Sequence, residues 1–441
     1  MKNARKAGVI IMAVLLVSLA VGCNKGGGAV SAPDSTKDIV FWDMMWGPAN
    51  SYPQAMQGLI SRFNSENGEN IRVTLQSLPW DNYYQVFLTA VTSGVAPDVS
   101  TGAFLQPLQY AEMGEGLSLD PVVDAWRSEN NPILNEYNED ILNLFRYEGK
   151  RYGLPWNLDT RQITYRTDYF QQAGITALPA TWAEFEAVCA RLKAALPPDV
   201  FPFVFPGGGD YSGLHPFLTF LVQNDVGPTD VDGQPDYLNP KITEVLQFVN
   251  RLYVNNYIPE GLPSYRSETG RQMYQAGKVA MILDNLQELQ DFPDVFANSG
   301  ILPPVAGPSG TAKYYTWVNA IEAYSQTKNP DACITFVKWL LENELPLWTS
   351  GGAAMPARSS YRADPQIAND KLKKQVSELV LPTAVTPVYP AKSAYMAFSI
   401  IEGEAIPMVG MIRAMTRNPD YQVIQREVQE SMLNAWEEFE Q

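Results

Sequence analysis

Four large aromatic side chains of this 441-residue chain, Trp46, Trp156, Tyr211 and Trp317, stand close to short hydrogen-bonding ones: Asp43, Asn157, Asp159, Asp284, Asn285 and Asn319. Aromatic faces beside carboxylates and amides suit a neutral chemistry of stacking and hydrogen bonding. Composition points the same way. The chain has 10 Trp and 22 Tyr but one His and three Cys, which leaves little material for a His/Cys metal site or a histidine-based hydrolase. Its 32 basic and 48 acidic residues give a net charge of −16. That argues against a nucleic-acid partner, because phosphate binding needs a basic face.

The elements that must position these residues follow from periodicity. Asp38 to Trp42 is a short apolar strand running into a polar-aromatic loop, Asp43 to Asn50. Met56, Leu59, Ile60 and Phe63 have helical spacing, and Ile71, Val73 and Leu75 alternate as a half-buried strand. A helix capped by Asp81 runs to Ser93, Gly94 closes it, and Pro97-Asp98-Val99 opens another strand. Strand and helix alternating in this way predict a mostly parallel sheet with helices on its faces. Ligands bind such sheets at the carboxyl ends of strands, which puts Asp43 and Trp46 near any site.

Downstream, Tyr152 to Asn157 reads as a strand and turn, and Gln162 to Tyr165 as another strand. Thr181 and Glu184 form a capping box for a helix to Leu196. Val279 to Leu283 is a buried-type strand that stops at Asp284-Asn285, and Thr316 to Ala323 is a strand carrying Trp317 and Asn319. Asn329-Pro330-Asp331 starts a further helix. Cys189 and Cys333 lie in apolar helical stretches and read as small buried side chains. His215, after Gly207-Gly208-Gly209, reads as a polar surface or loop residue. Trp42 and Trp80 read as packing residues, and Glu402 and Glu404, at alternate positions, do not read as an acid/base pair.

At the N-terminus, Lys2, Arg5 and Lys6 precede an uncharged apolar run from Ala7 to Gly22. A charged start, a short apolar run and small residues before a cleavage point describe a secretory signal over residues 1–22. The run, about 16 residues, falls short of the roughly 20 that span a bilayer, and a retained membrane anchor is the alternative. Leu19-Ala20-Val21-Gly22-Cys23 resembles a bacterial lipoprotein box, with Ala20 where that family usually has leucine. The resemblance implies an acylated Cys23 as the first mature residue, and residues 23–37 then read as a flexible tether. Cleavage removes three of the 32 basic groups and none of the 48 acidic ones, leaving a charge of −19.

Five stretches occur in family order: the opening strand with Trp42; Leu78-Pro79-Trp80-Asp81-Asn82-Tyr83-Tyr84 continuing to Ser93-Gly94-Val95-Ala96-Pro97-Asp98-Val99; Gly149 to Trp156; Ala276 to Met281; and Gly351 to Arg358. Together they resemble the extracellular solute-binding proteins of bacterial ABC importers, specifically the sugar-binding group similar to maltose-binding protein. The resemblance implies an α/β, two-lobed periplasmic-binding-protein-like fold with mostly parallel sheets. One lobe would hold residues 38–157 and 317–355, the other 158–316 and 356–441. Crossovers would fall near Asn157 to Thr160, Thr316 to Ile321 and Met355. Cys189 and Cys333 would then lie in different lobes, too far apart to be bridged.

The same resemblance implies a carbohydrate, an oligosaccharide, held in an interlobe cleft by Trp156, Trp317, Asp284, Asn285, Trp46, Asp43, Tyr211, Asn157, Asp159 and Asn319, with Tyr389 and Tyr395 as lesser candidates. It implies a membrane permease as partner, a lipid-anchored monomer on the outer face of the cytoplasmic membrane, and neither catalytic residue, metal nor cofactor. Two alternatives stay open. One is an exported glycoside hydrolase, which needs two acids about 5 to 9.5 Å apart. The other is the same binding fold with a peptide, polyamine or glycerol phosphate as ligand.

Overall fold

A computed structural model of the chain describes residues 36–208, 211–285, 289–350, 352–386, 388–391 and 397–440. The expected signal, Cys23, most of the tether and Tyr395 lie outside the described residues. Residues 36–441 form one compact unit. Among the described residues no helix is long and apolar enough to cross a membrane.

Among the described residues thirteen strands appear in chain order: β1 Lys37–Met44, β2 Ile71–Leu78, β3 Val99–Gly102, β4 Arg146–Tyr147, β5 Lys150–Arg151, β6 Gly153–Thr160, β7 Gln162–Arg166, β8 Phe201–Val204, β9 Val279–Asp284, β10 Ser299–Ile301, β11 Tyr314–Ala323, β12 Met355–Pro356 and β13 Ala384–Val385. The larger sheet has the order β12-β6-β11-β3-β1-β2, with β13 paired to β11, and the smaller has the order β10-β7-β9-β8. β1 runs parallel to both β2 and β3, as their helical connections dictate. β11 runs antiparallel to β3 and β6, and β7 antiparallel to β9 and β10. The sheets are therefore mixed, because strands that pass between sheets return against the direction of the strand-helix-strand units.

Burial follows the predicted faces. Met56, Leu59, Ile60 and Phe63 are buried along the helix Tyr52–Glu66, and Ile71 and Val73 along β2. Phe63 and Phe41 both meet Phe336, edge to face, from the helix Pro330–Asn343. Cys189 and Cys333 are buried free thiols on separate helices. The capping box forms one residue out of register: Thr181 Oγ1 accepts the Glu184 amide at 3.3 Å, while Glu184 Oε2 accepts the amide of Ala180 rather than Thr181.

Two expectations need correction. β1 continues to Met44, so Asp43 is a strand residue rather than a loop residue. The helix expected from Asp81 begins at Tyr83 behind Asn82, which adopts φ 54°, while Asp81 pairs with Arg266 at 3.4 Å. Beyond residue 356, several side chains bond residues that precede it in the chain. Arg358 bonds Glu136 and the Leu341 carbonyl, Tyr361 the Glu342 carbonyl, and Lys373 the carbonyls of Trp348 and Gly352. Lys371 reaches the Ala297 carbonyl just before β10, and Gln375 Oε1 accepts the Ile301 amide of β10 itself.

Candidate functional site

Only Arg161 separates β6 in the larger sheet from β7 in the smaller. Its guanidinium is buried and gathers the carboxylates around it. Asp159 hydrogen bonds it from one side, and Asp284, at the end of β9, lies 3.6 Å away. Arg271 holds Asp284 through Nε at 2.9 Å and donates to Asn285 Oδ1 at 3.1 Å. Three expected site residues, Asp159, Asp284 and Asn285, therefore meet around two arginines. Desolvating these charges is tolerable only because they are paired.

Trp317 follows from the pairing of β11 with β6, which sets it opposite Asp159. The Arg161 guanidinium lies over its ring, 5.7 Å from the centroid. Its indole Nε1 donates to Glu402 Oε1, and Tyr211 Oη donates to the same oxygen at 3.0 Å. Glu402 is 3% exposed. Burial pushes its pKa up to about 7, partly offset by these two donors.

The aromatics form a ladder. Trp46 meets Trp80 at 4.7 Å, Trp80 meets Tyr83 at 5.2 Å, and Tyr83 meets Tyr211 at 5.5 Å. Tyr211 meets His215 at 5.0 Å, His215 meets Trp317 at 4.3 Å, and Trp317 meets Tyr315 at 4.5 Å. Trp46, Trp80 and Tyr83 follow β1 and β2 of the larger sheet, whereas Tyr211 and His215 follow β8 of the smaller. The contact Tyr83 to Tyr211 thus joins elements of the two sheets. Gly403 adds a second joint: a Cβ there would sit 2.8 Å from the Tyr84 ring, so only glycine permits this approach.

His215 is not a surface loop residue. It sits in the helix Leu214–Gln223, buried between Tyr211 and Trp317. Burial, reinforced by Arg161 and Arg271, holds its pKa well below the usual value and the ring neutral.

The remaining expected residues have other partners, Asp43 alone among them being tied to the ladder, through Thr101 and Trp46. Asn157 and Asn319 bond each other at 2.9 Å beside the irregularity in the β6–β11 pairing. Asp43 accepts from Thr101 Oγ1, to which Trp46 Nε1 also donates at 3.0 Å. Burial pushes the Asp43 carboxyl up to about 8. Trp156 is fully buried, edge-on to Trp348 at 5.6 Å. Trp42 packs on Phe87, and Trp80, besides its place in the ladder, donates to the Met45 carbonyl. Tyr389 bonds Asp225 and Lys313, and the Lys313 ammonium lies 4.1 Å from its ring.

Sequence reasoning missed Glu402, Arg161, Arg271, Tyr83 and the position of His215. For Arg161, its place between two apolar strands and next to Asp159 was a readable signal. Glu402 had none, because its partners lie 85 and 191 residues away. Among the described residues no group of three or more His, Cys, Asp or Glu could hold a metal ion.

Comparison with known proteins adds to this geometry. The family model of the bacterial extracellular solute-binding protein matches residues 48–345. A putative binding protein of Brucella abortus is 23% identical over 302 residues, 64% of this chain and 67% of its own. The erythritol/L-threitol-binding protein of Mycolicibacterium smegmatis is 23% identical over 355 residues, 72% of each chain. Among solved structures, a sugar transporter from Arthrobacter chlorophenolicus A6 with bound laminaribiose superposes with a TM-score of 0.82 at 24% identity, covering 90% of this chain and 99% of that one. Maltose-bound T. maritima MalE3 gives 0.75 at 17% identity, covering 90% and 100%. These likenesses show a two-lobed fold.

Proposed function

The chain belongs to the bacterial extracellular solute-binding proteins, and we propose that it captures a carbohydrate in the cleft between its two lobes and delivers it to the membrane permease of an ABC importer. One observation carries the reading: a ladder of aromatic faces, with buried carboxylates and arginines at one end, runs from elements of the larger sheet to elements of the smaller. Aromatic planes suit the C–H faces of sugar rings, and paired acceptors and donors suit their hydroxyls. A cleft between domains is also where a ligand buries most surface. The names of relatives and neighbours support a sugar or polyol, since erythritol, laminaribiose and maltose all occur among them.

The mechanism is closure. Contacts such as Tyr83 to Tyr211 and Gly403 to Tyr84 join the two sides, so a solute that touches both sides favours the closed form over the open one. The protein binds and releases without turnover. Lipidation at Cys23, anchoring at the outer face of the cytoplasmic membrane and a monomeric state belong to the same proposal, as does an oligosaccharide rather than a monosaccharide. The hydrolase reading finds less support, because Asp159 and Asp284 are both engaged with Arg161. Isothermal calorimetry against mono- and oligosaccharides is the test, run beside an assay for new reducing ends. Tight reversible binding with no new ends is the expected outcome. Absence of binding to every saccharide rejects the carbohydrate assignment, and new ends reject the binder assignment.

A further inference from the structure

The carboxylate of Glu402 is shared unevenly. Both of its donors, Trp317 Nε1 and Tyr211 Oη, go to Oε1, and no described residue donates to Oε2. A fully buried acid ordinarily spreads its hydrogen bonds over both oxygens, because each unmade bond leaves part of the desolvation cost uncompensated. Here Trp317 and Tyr211 fasten one oxygen and fix the plane of the group. The position is not a remote one. Trp317 carries Arg161 over its face, Tyr211 meets Tyr83 from the other side, and the neighbouring Gly403 lies against Tyr84. Glu402 therefore stands where elements of the two sheets come together, with Oε1 fixed by two donors and, among the described residues, no donor to Oε2.

Charge narrows what that oxygen can take. Arg161 and Arg271 are already paired with Asp159 and Asp284, so an anionic group arriving at Glu402 would meet a carboxyl and no cation left over from those pairs. A hydroxyl that donates is the complementary group, and a carboxylate acceptor makes that bond one of the stronger kinds.

We propose that Glu402 contacts the bound solute, its Oε2 accepting a hydroxyl while Trp317 and Tyr211 hold the carboxylate in place, so that this residue discriminates a donor from a non-donor at one position of the ligand. The inference rests on the carbohydrate reading above. Trp317 and Tyr211 act here as positioning residues for the carboxylate in addition to any stacking of their own.

The test uses the saccharide that binds most tightly in calorimetry, together with its singly deoxygenated and singly fluorinated analogues. Fluorine at a hydroxyl position can weakly accept a hydrogen bond but cannot donate one. In the wild-type protein, one position is expected at which the deoxy and the fluoro analogues both bind roughly 10- to 100-fold more weakly than the parent, the loss of one hydrogen bond to a charged group. In Glu402→Gln, whose amide can donate, the gap between parent and fluoro analogue at that position should fall below about threefold. If Glu402 only orders the aromatic side chains, the variant lowers affinity for every analogue alike and the ratios stay unchanged, which overturns the proposal. Should Glu402→Gln fail to fold, Glu402→Asp retracts the carboxylate by one methylene and reads the same ratios. No binding of any saccharide to the wild-type protein overturns the carbohydrate reading and this inference with it, whereas binding with unchanged ratios overturns this inference alone.

Discussion

Replacing Glu322 by glutamine should make the protein more stable at neutral pH and change how its stability varies with pH. Glu322 lies on β11, 2% exposed, where Ser100 Oγ and Tyr324 Oη each donate to Oε1 at 3.1 Å. Burial pushes its pKa from 4.5 up to about 8, against the smaller opposing effect of the two hydrogen bonds. The folded chain thus holds this proton more tightly than the unfolded one. Its contribution is complete below pH 4.5 and declines as pH rises toward 8, by about 1.4 kcal/mol per unit. Between pH 5 and 7 the loss from this one group is about 2.7 kcal/mol, a large fraction of a stability that is commonly 5–15 kcal/mol.

Glu322→Gln keeps the side-chain length and an Oε1 acceptor while removing the proton. Asp43 and Glu402, also pushed up by burial, titrate in both proteins and cancel in the difference. Urea unfolding at pH 5, 6, 7 and 8 is the assay. The wild-type curve of stability against pH should fall more steeply than the variant's by about 1.4 kcal/mol per unit between pH 5 and 7. Parallel curves would refute the reasoning, since they would mean that the Glu322 carboxyl titrates alike in the folded and unfolded chains.

Trp156→Ala should lower unfolding stability by about 3–5 kcal/mol, because it empties a fully buried indole site against Trp348; a loss below about 1 kcal/mol in urea would contradict the packing described. Gly403→Ala would place a Cβ 2.8 Å from the Tyr84 ring, and relieving that clash is expected to weaken solute binding roughly tenfold in calorimetry while the unliganded melting temperature stays nearly constant. Both Cys189 and Cys333 should resist a thiol reagent in the native protein and react together on unfolding. Burial hides them and raises both thiol pKa values, that of Cys333 to about 12.

Local pattern carried the elements. The helical spacing of Met56, Leu59, Ile60 and Phe63, the alternation of Ile71 and Val73, and the Asn329-Pro330 start are all realised, because each is decided within a few residues. Boundaries set by distant partners were harder to see. The register of β1 with β2 runs through Asp43 to Met44 and keeps Asp43 in the strand, whereas its polarity alone suggests a loop. Asp81 looks like a helix cap, but its carboxylate turns to Arg266, 185 positions later.

The site divided in the same way. The strand carrying Trp317 was recognisable, but β6 runs past the turn expected at Asn157 as far as Thr160, and that extension is what sets Asp159 opposite Trp317. Nothing local to Glu402 announces that two aromatic donors, one on β11 and one on the turn Tyr211–Gly213, converge on it. His215 misled for a related reason. Its glycine-rich neighbourhood suggests exposure, yet Gly213 lets the helix start pressed against Gly208, where a Cβ would sit 2.7 Å from the Gly208 amide nitrogen.

The order of strands in the larger sheet also bears on how the chain comes to be folded. β11 lies between β3 and β6, although both are made long before it. A chain emerging from the ribosome carries β1, β2, β3 and β6 with the middle of their sheet missing until Ala323 has been added. Those early strands meet no complete template, and pairing across so long a stretch of sequence is slow. The smaller sheet is complete earlier, since β7 to β10 all precede β11, so the two sheets differ in how much of the chain each must wait for.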